Sequence, residues 1–262
     1  MKDILSPRHR GVLEALAASP CLLAFDYDGV LAPLVRDPAG AFMRPRTRRL
    51  LRRLARLYPC AVVSGRAFRD TRRFVGDLVP TVVGNHGYEI GEETATPPEV
   101  LERVRGWERE LQRRLAGVPG VFFEQKRTTL AVHYGLTRTW RRSGEAVRAA
   151  AETLHGARLL EGKKVLNVLP SHFPTKWDAV RALLERDRLE TALYAGDDVT
   201  DEDVFRIGPP AVFGVHVGRG RSLAPWRLAS QRDADALLQR LLELRSGGRR
   251  WAQGPQRRRP RS

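Results

Sequence analysis

The chain has 262 residues, 42% of them hydrophobic, which is enough for one large domain or a core with a smaller insert and too apolar for wholesale disorder. It carries 46 Lys and Arg against 30 Asp and Glu, a net charge of +16, and only two cysteines, which excludes a disulfide scaffold and a four-thiol zinc site. No apolar run reaches the ~20 residues of a membrane span, and MKDILSPRHR lacks a signal peptide's apolar stretch, so a cytoplasmic protein with no membrane partner is expected.

In chain order, Cys21–Phe25 reads as a buried strand, Pro45–Tyr58 as a helix with leucines at 50, 51, 54 and 57, and Cys60–Val63 as a second strand. A helix over Phe68–Leu78 and a strand over Thr81–Val83 follow. The rhythm then breaks: a long helix at Glu99–Leu115, strands at Val121–Glu124 and Thr129–Tyr134, a helix at Arg138–His155, and a third strand at Lys164–Leu169. Afterwards the alternation resumes with a helix at Thr175–Leu189 and strands at Ala192–Tyr194 and Ala211–Val217. This order predicts an α/β fold: a doubly wound parallel-sheet (Rossmann-like) core over 1–92 and 173–246, with an inserted small α+β domain at 93–172. Residues 247–262 read as a basic disordered tail.

The tail bears on the charge. Only five of the 46 cations are lysine, and seven arginines fall in the last 18 residues, where no acid occurs. A chain-wide arginine bias plus a solvated tail accounts for the charge better than a dedicated nucleic-acid surface, so no specific nucleic-acid partner is expected. A nucleic-acid-binding protein remains the reading from a different class. It calls for aromatics interleaved with the basic residues, and the tail offers only Trp251.

The strand ends carry the chemistry. Asp26 and Asp28, in Phe25-Asp26-Tyr27-Asp28-Gly29, end the first strand at the carboxyl edge, where open α/β sheets bind ligands, and Gly29 permits a sharp turn. The second strand ends in Ser64-Gly65-Arg66, a hydroxyl and a glycine leading into a helix whose amides suit an anion. The third ends in Gly84-Asn85-His86-Gly87-Tyr88-Glu89. The fourth ends in Asp197, Asp198, Asp201, Glu202 and Asp203, five acids in seven residues, a density that suits a hard cation such as Mg²⁺. Glu202 and Asp203 fit helix capping; Asp197, Asp198 and Asp201 fit metal work or support around it. Lys176 opens a helix against its dipole and calls for a compensating partner such as a bound phosphate.

Together DYDGV, SGR, a late lysine and GDDVTDED resemble the haloacid-dehalogenase-type phosphatases. GNHGYE, Glu124-Gln125-Lys126, Leu130-Ala131-Val132-His133-Tyr134 and TDED resemble, more narrowly, the trehalose-6-phosphate phosphatase family. The resemblance implies a Mg²⁺-dependent phosphoric monoester hydrolase of trehalose biosynthesis, acting on a small sugar phosphate under a mobile cap formed by the insert; separately, a monomer is expected. The resemblance also implies Asp26 as nucleophile, Asp28 as acid and base, and Ser64 and Lys176 on the phosphoryl group. The metal falls to Asp26, Asp197 and the Asp28 carbonyl, supported by Asp198 and Asp201. Substrate contacts fall to Gly65, Arg66, Asn85, His86, Glu124, Lys126, His133 and Asn167. The sequence departs from the family pattern at Val30, Gly135, Asn167, Leu169 and Trp177, which leaves open other phosphorylated glycosides of the sucrose-phosphate, glucosylglycerol-phosphate or glycosyl-phosphoglycerate type.

Overall fold

The computed structural model describes residues 1–35, 37–92, 97–126, 128–162 and 164–252. In chain order its elements are β1 (Lys2–Asp3), α1 (Arg10–Ala18), β2 (Leu22–Phe25), α2 (Pro45–Leu54), β3 (Cys60–Val63), α3 (Phe68–Val75), β4 (Thr81–Gly84) and β5 (Glu89–Ile90). Next come α4 (Pro98–Arg114), β6 (Phe122–Gln125), β7 (Leu130–His133), α5 (Trp140–Ala151), β8 (Ala157–Gly162) and β9 (Val165–Pro170). The chain closes with α6 (Lys176–Asp187), β10 (Ala192–Gly196), α7 (Glu202–Phe205), β11 (Val212–Val217), β12 (Trp226–Leu228) and α8 (Ala234–Ala252).

The main sheet runs β1-β12-β11-β10-β2-β3-β4-β5, parallel throughout except for the terminal β4–β5 pair. Its central strands have no polar face because both faces are covered. Leu23, Phe25, Val62 and Leu193 pack with α1, α2, α3 and α8, whereas Leu22, Ala24, Ala61 and Tyr194 pack with α6 and α7. Alternate residues of one strand thus enter two different cores, the arrangement expected of a doubly wound sheet. In α2, Leu50, Leu51 and Leu54 turn inward and the arginines outward.

The second sheet, β6-β7-β9-β8, is antiparallel. One face, with Phe123, Leu130, Val132, Leu166 and Val168, packs under α4 and α5 around Trp107 and Leu111. The other carries Glu124, His133 and Asn167, which line a cleft shared with the main sheet's edge.

Several elements differ from the sequence reading. The insert has four strands rather than three. β8 escapes notice because its run Ala-Arg-Leu-Leu-Glu-Gly is an edge strand of intermediate burial with no alternation. The short β1, β5 and β12, and α1, were not anticipated, so the main sheet has eight strands rather than five. α8 continues to Ala252, six residues into the expected tail. Arginines are good helix formers, and two glycines cost only about 1 kcal/mol each on a helix already anchored by Leu237, Leu238, Leu241 and Leu242. The expected insert boundary at 93 and the rest of the tail, 253–262, lie outside the described residues. Among the described residues no helix is long and apolar enough to cross a membrane.

Candidate active site

β2 delivers Asp26 to the sheet's carboxyl edge, where its N–H still donates to Ala195 O (2.8 Å) as a last ladder bond. Asp26 Oδ1 accepts the Tyr27 N–H at 2.6 Å, while Tyr27 turns into the core and its hydroxyl donates to Ala41 O at 2.7 Å. The apolar anchor between the two acids therefore fixes both. Gly29 has φ +74°, and a Cβ there would stand 2.2 Å from the Asp197 carboxyl. Only glycine lets that carboxylate close on the acidic turn.

Lys176 Nζ donates to Asp26 Oδ2 at 2.9 Å and to Asp201 Oδ1 at 2.7 Å, with all three side chains buried. The lysine's compensating partners are thus two carboxylates built into the fold. Its helix start is fixed by a reciprocal cap: Thr175 Oγ1 accepts the Asp178 N–H (3.2 Å), and Asp178 Oδ2 accepts the Thr175 N–H (2.8 Å). Burial opposes the charge on Lys176, but Asp201 and Asp26 outweigh it and raise its pKa. Burial raises the pKa of Asp26; Lys176 opposes that shift, and Asp201 and Asp197 reinforce it.

Asp26, Asp197 and Asp201 each offer an oxygen within 4.8 Å of the others. Three carboxylates and one ammonium leave two negative charges, the complement of one divalent cation. Asp201 already accepts from Lys176, from the Tyr194 hydroxyl (2.6 Å) and from the Asp198 N–H (2.9 Å). Asp26 and Asp197 are therefore the better placed pair, and the hard oxygen set fits Mg²⁺.

Around this centre, Arg66 donates from Nε and Nη2 to the two oxygens of Asp28 (2.6 and 2.7 Å) and from Nη1 to Pro38 O (2.8 Å). Ser64 is buried, accepts the Arg66 N–H at 3.1 Å and does not line the cleft. Asn85 and His86 take left-handed backbone (φ +46° and +57°) and are buried, with Asn85 Oδ1 and His86 Nδ1 lacking partners. His86 packs on Gly65 and faces the cleft; Asn85 does not line it. Burial first, then the charges of Lys176, Lys126 and Arg158, hold His86 well below the usual imidazole range, hence neutral.

From the second sheet, Glu124 Oε2 meets His133 Nε2 at 2.8 Å and Lys126 Nζ at 3.8 Å. The His133 bond, chiefly, lowers the pKa of Glu124. Asn167 shares this face, and all four residues line one cleft of about 780 Å³ with Asp26, Asp28, Arg66 and Lys176. The departures have structural accounts in part. Val30 is buried in the core, Trp177 packs beside α6's apolar residues, and a side chain at Gly135 would meet the Lys164 chain (2.9 Å).

The sequence reading missed Tyr194, whose position mid-strand carries no signal for its bond to Asp201. It also missed Glu89, whose Oε2 accepts the Phe68 N–H at the start of α3 (2.7 Å). Glu89 was within the quoted GNHGYE run, so its spacing was available.

This chemistry agrees with three comparisons. A family profile described as trehalose-phosphatase matches residues 24–231. A trehalose-phosphate phosphatase of Mycobacterium tuberculosis is 33% identical over 222 residues, 77% of this chain and 55% of the relative, so the chain spans about half the length of the curated relatives it matches. The C-terminal domain of the Candida albicans trehalose-6-phosphate phosphatase superposes with TM-score 0.77 at 22% identity, covering 89% of this chain and 96% of that one. The Aspergillus fumigatus trehalose-6-phosphate phosphatase does so with TM-score 0.64 at 26% identity, covering 93% and 99%. With the acidic turn, the buried lysine and the opposing small sheet all inside the matched span, the chain belongs to the trehalose-phosphatase family.

Proposed function

We propose that the protein is a Mg²⁺-dependent phosphatase that hydrolyses trehalose 6-phosphate to trehalose and phosphate. The observation that carries this reading is the single cleft in which Asp26, Asp28 and Lys176 face Glu124, Lys126, His133 and Asn167. One wall has the chemistry of phosphoryl transfer and the other the hydrogen-bonding groups of a polyol site.

Asp26 Oδ attacks phosphorus, and the bond from phosphorus to the sugar oxygen breaks, leaving an aspartyl-phosphate. Asp28 gives its proton to the departing oxygen, then takes one from the water that cleaves the acyl phosphate. Asp26, Asp197 and the main-chain carbonyl of Asp28 would hold Mg²⁺, which would supply neutralisation of the phosphoryl group's negative charge. Lys176 holds Asp26 in place and adds positive charge toward the phosphoryl oxygens, with the turn amides beside it, while Ser64 accepts the Arg66 N–H behind the cleft wall. Asp201 and Asp198 fix Lys176 and the loop that carries Asp197. Residues 93–172 act as the cap: Glu124, Lys126, His133 and Asn167, with His86, Gly65 and Arg66 on the core side, select the sugar.

The test is phosphate release across trehalose 6-phosphate, sucrose 6-phosphate, glucosylglycerol phosphate and glucose 6-phosphate, with and without chelator. Fastest turnover of trehalose 6-phosphate, lost on chelation and in Asp26→Asn, is expected. A flat panel leaves only the broader phosphatase reading, and an active Asp26→Asn protein removes the mechanism.

A further inference from the structure

The cleft wall on the core side carries side chains that no step above uses. Leu34 and Val35 follow the acidic turn, line the cleft, and remain 56% and 44% exposed. Nearby Val30, Leu31 and Ala32 are fully buried, so this short run leaves the core and offers aliphatic surface to the ligand space. Apolar surface held beside a polar site is covered by something apolar when the site is filled.

The neighbours say where along the ligand that surface lies. Arg66 grips Asp28 with one edge of its guanidinium, donates to Pro38 O from the other, and lies over the Phe74 ring at 5.0 Å. One edge of the guanidinium thus meets Asp28 and the other meets Pro38, and Leu34 and Val35 lie on the chain between those two residues and share the cleft lining with them. With the leaving oxygen at Asp28, the phosphorylated ring lies alongside Arg66 and the Glu124–His133 pair. A second ring falls past the guanidinium, on the aliphatic surface. A pyranose is suited to it, because its C–H faces are apolar while its hydroxyl rim points outward to hydrogen-bonding groups.

Resting on the trehalose 6-phosphate reading, we propose that Leu34 and Val35 form the platform for the pyranose ring farther from the phosphate, and so help select a disaccharide phosphate over a monosaccharide phosphate. A hydrophobic contact of this size is worth roughly tenfold in kcat/KM.

The experiment compares the unmodified protein with Leu34→Ser/Val35→Ser and with the conservative Leu34→Met/Val35→Ile, on trehalose 6-phosphate, glucose 6-phosphate and an aryl phosphate. The serine pair is expected to lose about tenfold in kcat/KM on trehalose 6-phosphate alone, staying within about twofold on the other two, and the conservative pair to retain the unmodified values. A loss equal on all three substrates overturns the platform and assigns the pair to cap docking or folding; so does no loss at all. Failure of the underlying reading shows separately, in the unmodified protein, as trehalose 6-phosphate turned over no better than glucose 6-phosphate, and the platform falls with it.

Discussion

Both carboxylate oxygens of Asp28 accept from the guanidinium of Arg66, at 2.6 and 2.7 Å, in a bidentate pair. Such a charge-assisted fork fixes the plane of the carboxylate. The lone pairs that the fork leaves free are the ones through which Asp28 can serve a leaving group. Arg66 thus positions the acid. Replacing it by Gln is expected to cut kcat on a sugar phosphate roughly 10- to 100-fold, at or below the lower end of the ~10²- to 10⁴-fold that general acid catalysis supplies, because Asp28 itself remains. An aryl phosphate, whose phenolate departs without a proton, should lose less than about threefold. Steady-state rates on both substrates check this; equal losses would place Arg66 on the phosphoryl group instead.

Gly29 tests the metal. Its Cβ-free Cα is what the Asp197 carboxyl packs against, at 2.2 Å from where a Cβ would stand. Gly29→Ala must displace Asp197 or the turn, and φ +74° adds backbone strain. Mis-setting a ligand in this way typically costs 10- to 100-fold in metal affinity. A Mg²⁺ titration of phosphate release should shift to higher concentration by at least about tenfold, with calorimetric Mg²⁺ binding weakened in parallel.

Lys176 is also a structural charge. It is 2% exposed and shared between Asp26 and Asp201. Lys176→Met leaves two buried carboxylates facing each other, and breaking a buried pair costs about 3–5 kcal/mol. Urea unfolding without metal should show that loss. Asp201→Asn added to Lys176→Met should restore part of it, because one of the two facing buried carboxylates is then neutral.

The acid limb of stability has a defined contributor at the start of the same helix. Thr175 N–H donation, chiefly, lowers the pKa of Asp178 below its usual 3.8. A depressed carboxylate stabilises fully above its unfolded value and loses that stabilisation as pH falls through its folded value. Asp178→Ala is therefore expected to lower stability by about 0.5–1 kcal/mol at pH 7, the modest figure of a half-exposed cap. Urea midpoints of variant and unmodified protein should converge as pH falls below 3.8.

What was legible in the sequence is what short range encodes. The buried strands announced themselves because both faces are apolar, and Asp26, Asp28 and Asp197 because several polar strand ends and a late lysine occur together, each acid–glycine turn alone being an ordinary turn. Pairings across long separations were not legible. Arg66 stands 38 residues from Asp28 and was expected on the substrate. Lys176 called for an anion, but its 150-residue reach to Asp26 is fixed only by the sheet order. Ser64 and Asn85 show the converse: their motif is present, yet the fold buries both side chains off the cleft lining. β8 and the filling of the Gly135 space by Lys164 depend on packing that no local pattern records.

The cap wall offers the sharpest test of substrate choice. Glu124 and Lys126 flank the end of β6, and Glu124 is bound to His133 on the neighbouring strand, so the three form one polar cluster aimed at the cleft. The core side can accept a phosphate monoester of any alcohol, and discrimination has to come from groups that hydrogen-bond hydroxyls. Removing such a group leaves its partner unpaired at about 1–3 kcal/mol. Glu124→Ala and Lys126→Ala should therefore each lower kcat/KM on trehalose 6-phosphate by roughly 10- to 100-fold. An aryl phosphate has no hydroxyls to satisfy and should be turned over within about twofold of the unmodified rate. Glu124→Ala also frees His133, so Glu124→Gln, which can still accept from the imidazole, should recover part of the loss. If both substrates lose equally, Glu124 serves the geometry of the small sheet and not the sugar.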